Sequence, residues 1–187
     1  MTKDELTELV RHAGVVGAGG AGFPTHVKLQ ATDIDTYVIN GAECEPLLYV
    51  DQTLMLNWAS YLIAASKAMS SVMGCKVVFG VKQKHGDCIS ALQAAGGDVC
   101  VLGDYYPAGD EVILLHECVG RIVPEGGLPL HVGAIVNNVE TLYNIGRALE
   151  GKPVTHSFVQ VGGAVLSPGV WSVPLGVEAS KLVEAAG

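Results

Sequence analysis

Short apolar runs alternate with amphipathic stretches along the first 150 residues of the chain. Runs rich in Val, Ile and Tyr predict β-strands, and apolar residues repeated every three or four positions predict helices. This pattern predicts strands over about 36–40, 76–81, 99–103 and 133–137, and helices over about 2–13, 51–73, 84–95, 110–119 and 139–149. Such alternation is typical of an α/β fold with a mostly parallel sheet flanked by helices on both faces.

The pattern changes after Gly151-Lys152-Pro153. The stretch SFVQVGGAVLSPGVWSVPLG predicts two short antiparallel strands joined by a turn, and VEASKLVEAAG begins a helix. We therefore expect an α/β domain over residues 1–152 and the start of a small second domain over 153–187. Because the sequence ends inside this second unit, we expect the chain to be a fragment with a truncated second domain.

Composition and charge exclude several classes of protein. Hydrophobic residues make up 49% of the chain and charged residues 16%, which favours a folded chain with a sizeable core. The net charge of −8 and the scattered basic residues argue against nucleic acid and membrane surfaces as partners. The apolar run over 58–73 is too short for membrane insertion, and the acidic N-terminus is no signal peptide, so we expect a cytoplasmic protein.

The residue types that usually carry metal or nucleophilic chemistry are not grouped. The histidines show no i, i+4 pair, and no Ser-His-Asp or Cys-His set is visible. We therefore predict neither a metal site nor a catalytic side-chain set. The five cysteines lie far apart without a C-x-x-C pair, so we expect buried, reduced thiols. They are Cys44, Cys75, Cys88, Cys100 and Cys118.

A glycine-rich stretch near the N-terminus raises the question of a dinucleotide-binding turn. Gly17, Gly19 and Gly22 match G-x-G-x-x-G, and Glu43 follows at about the distance of a ribose-binding acid. A Rossmann turn needs a strand directly before it and a helix directly after it. The residues before this loop are helix-patterned instead, so a Rossmann dehydrogenase is a weak alternative.

The same loop has more glycine than a tight turn requires. Residues without Cβ atoms let backbone N–H groups approach a phosphate or lie against a flat ring. Lys28, a few residues on, could supply positive charge to phosphates. The loop therefore favours a phosphate-bearing planar cofactor.

Four stretches in this order carry a family resemblance: GAGGAGFPTHVK, INGAECEPLLYVDQTLM, YYPAGDE and GAIVNNVETLYNI. They resemble the NuoF-like flavin subunit of respiratory complex I, more closely the RnfC subunit of Rnf complexes, and most closely the N-terminal part of PduS-type cobalamin reductases. The resemblance implies an FMN-binding α/β domain followed by a β-grasp domain of the SLBB type. It also implies cysteine-ligated [4Fe-4S] clusters further downstream, in a region missing from this sequence.

The resemblance also implies which residues contact the cofactors. The glycine loop would lie against FMN and the incoming NADH, Phe23 would stack on adenine, and Lys28 would meet a phosphate. Glu45 would orient the nicotinamide or its ribose, and the asparagines would hold the flavin, its ribityl chain and its phosphate. The implied cofactor-binding residues are Gly17, Gly19, Gly20, Gly22, Phe23, Lys28, Asn40, Glu43, Glu45, Tyr106, Asp110, Glu111, Asn137, Asn138 and Thr141.

Several of these residues also have a purely structural interpretation. Asn137 and Asn138 follow an apolar strand, where asparagine commonly caps the next helix. Tyr106 could simply pack, and Glu43 and Glu45 could be solvated surface acids. These alternatives remain open from the sequence.

The function implied by the resemblance is flavoprotein electron transfer. NADH would be oxidised by bound FMN, and electrons would pass to the downstream clusters and then to a corrinoid or another carrier. The resemblance leaves two locations within the cytoplasm open, either free or inside a bacterial microcompartment, whose shell would then be a further partner. Ala18 and Ala42 stand where complex I has charged residues, which leaves a non-catalytic adaptor that retains the flavin fold as the alternative.

Overall fold

The computed structural model describes residues 1–187 and contains a four-stranded sheet in the order β3-β2-β1-β4. All three strand pairs are parallel. The central strand β1 is buried along almost its whole length, as expected where helices cover both faces of a sheet. The predicted parallel sheet is thus confirmed. Its strands are β1 (Thr36–Asn40), β2 (Lys76–Lys82), β3 (Val99–Leu102) and β4 (Ala134–Asn138).

Seven helices surround this sheet. The first and the second enclose the glycine-rich loop, and none of the helices of the chain has the length and hydropathy needed to cross a membrane. They are α1 (Lys3–His12), α2 (Thr25–Leu29), α3 (Val50–Asn57), α4 (Ala59–Met73), α5 (Gly86–Ala94), α6 (Glu111–Val119) and α7 (Val139–Leu149).

The predicted helix over 51–73 is in fact two helices, so this part of the prediction is wrong. Trp58 leaves the helical conformation, with φ −127° and ψ 25°, and separates α3 from α4. Its indole packs edge-on against Tyr143 and Phe158, with ring centroids 5.9 and 5.6 Å apart. The apolar periodicity hides the break because both helices bury a face against the same core.

Two short helical segments were not predicted from the pattern. One is α2, and the other is a 3-10 turn at Pro129–Val132. Both are shorter than the window over which helical periodicity becomes visible. The first of them returns the chain from the glycine loop to the core, where Leu29 is fully buried.

The core lies on the two faces of the sheet. On one face Tyr37, Ile39 and Ile135 pack under the helices α1, α3, α4, α5 and α7. On the other face Val38 and Val136 pack against Leu114 and Leu115 of α6. This alternation along the strands sends neighbouring residues to opposite faces, so it fixes which polar residues of β4 point into which layer.

The last part of the chain forms a separate two-stranded sheet. β5 (His156–Val161) pairs antiparallel with β6 (Gly169–Pro174), and α8 (Ala179–Ala186) follows. This confirms the predicted hairpin and helix, while the β-grasp assignment and the division at residue 152 stay predictions. Phe158 of β5 packs on Tyr143 of α7 with ring centroids 5.3 Å apart, so the hairpin is attached to the α/β part.

We expect Tyr37→Phe to lower the free energy of unfolding by about 1–3 kcal/mol. The Tyr37 hydroxyl is fully buried and accepts a hydrogen bond from the Asn137 side-chain amide at 2.6 Å. Its removal leaves this amide without a partner in the core. Urea denaturation measures the loss. The matched control is Tyr106→Phe, because that ring is 74% exposed, and equal stability of the two variants would contradict the interpretation.

Candidate functional site

A cleft of about 630 Å³ lies at the carboxyl edge of the sheet, where β1 and β4 end. Asn40 and Asn138 are register partners at this edge. In open α/β sheets the carboxyl ends of the strands are the usual place for a ligand. The walls come from the glycine loop, the loops after β1 and β3, the start of α7 and strand β5.

A smaller pocket of about 160 Å³ adjoins the cleft and shares Gly19, Asn40, Gly109 and Asn138 with it. Between them, the two concavities are lined by all the predicted cofactor-binding residues except Gly22. Gly22 belongs to the same loop, where its positive φ of 62° shapes the bend. The fold thus brings four separate sequence stretches together.

The glycine loop is held by few contacts of its own. The Gly17 N–H donates to the Phe23 carbonyl at 2.8 Å, and the Ala18 N–H donates to Thr141 Oγ1 of α7 at 2.9 Å. The N–H groups of the next four residues, 19–22, donate to no acceptor within the chain. The loop therefore offers free backbone donors beside the start of α7, as expected for binding an oxyanion or a carbonyl oxygen.

This loop is not a Rossmann turn. It follows α1 and precedes α2, and its only strand-like feature is an isolated bridge between Val16 and Pro24. The structure therefore lacks the strand–turn–helix context that such a turn requires. The alternative of a Rossmann dehydrogenase is wrong.

Lys28 lies at the wall of the smaller pocket, with its side chain 20% exposed. Its ammonium group donates to the Val136 carbonyl at 2.8 Å and to Glu111 Oε1 at 3.1 Å. It also lies 5.9 Å from the ring centre of Phe23, which is itself 45% exposed. The structure therefore holds this positive charge in place next to the pocket, although Glu111 offsets it.

Two predicted residues position the loop after β3. The Asn40 side chain donates to the Gly109 carbonyl at 2.8 Å and accepts from the Ala42 N–H at 3.1 Å. Asp110 is the N-cap of α6 and accepts from the Val112 and Ile113 N–H groups. These contacts fix the wall that carries Tyr106, whose ring stands largely in solvent at the cleft.

Glu43 and Asn137 also have structural partners. The Glu43 carboxylate accepts from the backbone N–H groups of Asp51 and Gln52 at 3.0 and 3.2 Å, and so caps α3. Burial raises its pKa. The Asn137 amide is engaged with Tyr37 inside the core. Glu45, in contrast, is exposed on the cleft wall with no partner in the chain.

Two buried acids of the cleft were not predicted from the sequence. Asp51, 8% exposed, accepts from the Asn138 amide nitrogen with both carboxyl oxygens, at 2.9 and 3.0 Å. Burial, together with the negative charge of Glu43, raises the pKa of Asp51 to about 7. Burial also raises the pKa of Glu140, which accepts from Ser157 and the Phe158 N–H. Both acids stand in the first turn of a helix, where acidic residues are common, so the sequence gives no signal of their burial.

Gln160 is a further cleft residue that the sequence did not predict. It comes from β5, outside the four motifs, and its side-chain oxygen is buried without a hydrogen-bond partner. The cleft therefore carries free backbone donors on one side and an unsatisfied acceptor on another.

Comparison with known proteins defines the class. The sequence model of the Nuo51 FMN-binding domain matches residues 10–147. The chain belongs to this family. The resemblance to flavin subunits of the complex I type is thereby confirmed, and the matched residues include all four motifs.

Two individual proteins are similar to this chain over most of its length. The chain is 46% identical over 187 residues to the cobalamin reductase PduS of Citrobacter freundii, with 97% of the chain and 41% of the relative covered. It is 38% identical over 174 residues to one component of the proton-translocating ferredoxin:NAD(+) oxidoreductase complex of Clostridium ljungdahlii, with 88% and 38% covered. The chain thus spans about two fifths of the length of these curated relatives.

A solved structure confirms the fold. The chain superposes on a polypeptide of an NAD+-reducing [NiFe]-hydrogenase in the H2-reduced state with a TM-score of 0.85 and 24% identity. The superposition covers 98% of this chain and 39% of the other. At this identity the likeness supports the architecture and leaves the chemistry to the site itself.

We expect Asn138→Ala to lower stability by more than the loss of a helix cap, which is typically about 0.5–2 kcal/mol. Asn138 caps α7 by accepting from the Glu140 N–H at 2.8 Å, and it also donates to Asp51. That second bond favours the ionised carboxyl, so its loss should destabilise the fold more at pH 8 than at pH 5.5.

Urea denaturation at the two pH values measures this difference. The matched control is Thr2→Ala, which removes only the cap of α1, where Thr2 accepts from the Glu5 N–H at 3.2 Å. Its effect should be smaller and should change less with pH. If both variants lose the same stability at both pH values, the interaction with Asp51 contributes nothing.

Proposed function

We propose that this chain is the FMN- and NADH-binding part of an electron-transfer flavoprotein. FMN binds in the cleft at the carboxyl edge of the sheet, and NADH is oxidised there. In the longer protein, electrons continue to iron–sulfur clusters and then to a corrinoid or another carrier, which makes the whole a cobalamin reductase. A location inside a bacterial microcompartment and contact with its shell remain predictions from the resemblance.

One observation carries this proposal: the glycine loop, whose residues 19–22 donate no backbone hydrogen bond within the chain, lies beside the start of α7, and Gly19 and Gly20 line the cleft together with Asn138. Backbone donors without side chains suit a phosphate or a flat ring that must approach the main chain closely. The cofactor also brings hydroxyl and N–H donors, which match the unsatisfied side-chain oxygen of Gln160. The donors and acceptors that are present therefore fit FMN.

Individual residues have distinct roles in this proposal. Lys28 and the start of α7 supply positive potential for a phosphate. Phe23, with nearly half of its surface free, offers a face on which adenine can stack. Glu45 is free to accept from a nicotinamide or a ribose. Asn40, Asp110 and Glu43 hold the cleft walls in place: Asn40 bonds to the loop after β3, and Asp110 and Glu43 accept from the first turns of α6 and α3.

The chain needs no nucleophile for this activity. Bound FMN supplies the ring that accepts a hydride from NADH and passes electrons on singly. The protein contributes orientation, exclusion of water and the electrostatic environment. The exposed ring of Tyr106 at the cleft and the half-exposed ring of Phe23 at the adjoining smaller pocket are placed to cover such a ligand.

A visible spectrum tests the proposal directly. The purified chain, supplied with FMN and desalted, should retain flavin absorbance near the stoichiometric amount. Anaerobic NADH should then bleach this absorbance. Retained flavin without bleaching would indicate a flavin carrier that is reduced by another donor, and absence of flavin binding would favour the non-catalytic adaptor.

We expect Gly20→Ala to weaken FMN binding by about tenfold, equivalent to about 1.4 kcal/mol. Gly20 lines the cleft with φ +108°, and a Cβ atom there meets no protein atom within 4 Å. The added methyl group would therefore project into the space that the ligand needs. Fluorescence titration with FMN measures the loss.

The matched control is Gly163→Ala, in the turn of the hairpin. Gly163 also has a positive φ, +91°, and also has no neighbour within 4 Å, so the backbone strain is comparable. Both variants should lose a similar amount of stability, about 1–2 kcal/mol. Only Gly20→Ala should lose affinity, and a parallel loss in both would mean that strain alone explains the effect.

A further inference from the structure

Three buried carboxyl groups line the cleft, and the negative charges of two of them act on the third, Asp51. Glu43, Asp51 and Glu140 are each less than a tenth exposed and all line the cleft. None of the ion pairs of the chain includes any of them. Burying like charges side by side without a cation is costly, so such a group tends to retain a proton.

Of the three carboxyl groups, Asp51 accepts hydrogen bonds from the fewest donors. The Glu43 carboxylate accepts hydrogen bonds from two backbone N–H groups and from the Gln52 side-chain amide, at 3.0–3.2 Å. The Glu140 carboxylate accepts hydrogen bonds from the Ser157 hydroxyl and from one backbone N–H group, both at 3.1 Å. Both oxygens of Asp51, by contrast, share the one amide nitrogen of Asn138.

The orientation of Asn138 is fixed by its second bond. Its side-chain oxygen accepts from the Glu140 N–H, so the amide cannot rotate to present an acceptor to a protonated Asp51 without losing the cap of α7. A proton on Asp51 therefore finds no acceptor in Asn138. Asp51 is one of the residues that line the cleft, so a ligand bound there could accept from its carboxyl group.

The surroundings of Asp51 are negative or neutral on every side. The loop before α3 presents Glu43, and α7 presents Glu140. From α5, Cys88 lies against α3 and contacts the Gln52 carbonyl at 3.8 Å. The ionisable residues of α4 and β5 have other neighbours: Tyr61 packs on Tyr143, Lys67 lies beside Gly96, and His156 bonds to Thr155.

We propose that Asp51 is the proton-holding residue of this cleft: its carboxyl group takes up a proton when a negatively charged ligand enters and releases it when the ligand leaves. The balance is one proton from water onto one carboxylate, with no change of oxidation state. By this proton uptake, Asp51 adjusts the net charge of the cleft to the charge of its ligand. The identity of that ligand as FMN rests on the proposed function.

The first test uses the cofactor-free chain. Carbon-13 NMR of aspartate-labelled protein should show one carboxyl that titrates near pH 7, in agreement with the pKa of about 7 that burial and Glu43 give Asp51. Asp51→Asn should remove this signal. Glu43→Gln should move it to lower pH, because the loss of a neighbouring negative charge favours ionisation. Titration of all aspartates in the ordinary acidic range would overturn the inference.

The second test measures protons taken up on FMN binding, by calorimetry at pH 7.5 in buffers of different ionisation enthalpy. Uptake by the natural chain should exceed uptake by Asp51→Asn. The dissociation constant of FMN from the natural chain should also rise with pH above 7. This rise should exceed that of Asp51→Asn by up to about tenfold per pH unit. The matched control is Asp4→Asn, which alters the second residue of α1 as Asp51 is the second residue of α3 but lies in solvent.

The outcomes separate the two proposals. Equal proton uptake by the natural chain and Asp51→Asn would overturn the coupling, while FMN binding itself would stand. A chain that binds no FMN would overturn the proposed function and the coupling with it. The NMR titration decides by itself whether Asp51 holds a proton. If Asp51→Asn does not fold, the shift produced by Glu43→Gln decides the same point.

Discussion

The parallel pairing of β1 with β4 determines where the chemistry of this protein can lie. It ends both strands at one edge and places Asn40 opposite Asn138. The loop after β1 and the start of α7 then have to meet at that edge, and the glycine loop reaches the same place through the bond between the Ala18 N–H and Thr141. A shift of one residue in this register would turn the asparagine of the shifted strand to the opposite face of the sheet. The cleft would then lose a side chain that lines it.

The cleft combines opposite electrostatic features within a small volume. The free N–H groups of the glycine loop, the start of α7 and Lys28 favour negative charge. Asp51 and Glu140, which also line the cleft, disfavour negative charge there as long as both acids are ionised. An anion-binding surface above a buried acid is a natural arrangement for coupling ligand charge to protonation, since the acid can become neutral as the anion binds.

Much of the predicted site consists of residues that hold the walls. Asn40 bonds to the backbone of the loop after β3, Glu43 and Asp110 accept from the first turns of α3 and α6, and the Asn137 amide donates to Tyr37 in the core. The family motif therefore mixes residues that are free to meet a ligand with residues that shape the cavity. Sequence motifs cannot separate the two kinds, because both are tied to the same cavity.

The sequence by itself determined the alternation of strands and helices, the parallel sheet, the hairpin at the end and the membership of the four motifs in one site. The first three follow from local periodicity, and the last is implied by the resemblance of the four motifs to a known family. The tertiary structure alone decided the break at Trp58, whose indole packs against Tyr143 and Phe158, and the burial of Asp51 and of the Gln160 side-chain oxygen in the cleft wall. Each of these depends on contacts between segments far apart in the chain, and a pattern read along the chain carries no information about the dielectric surroundings or the neighbours that such contacts create.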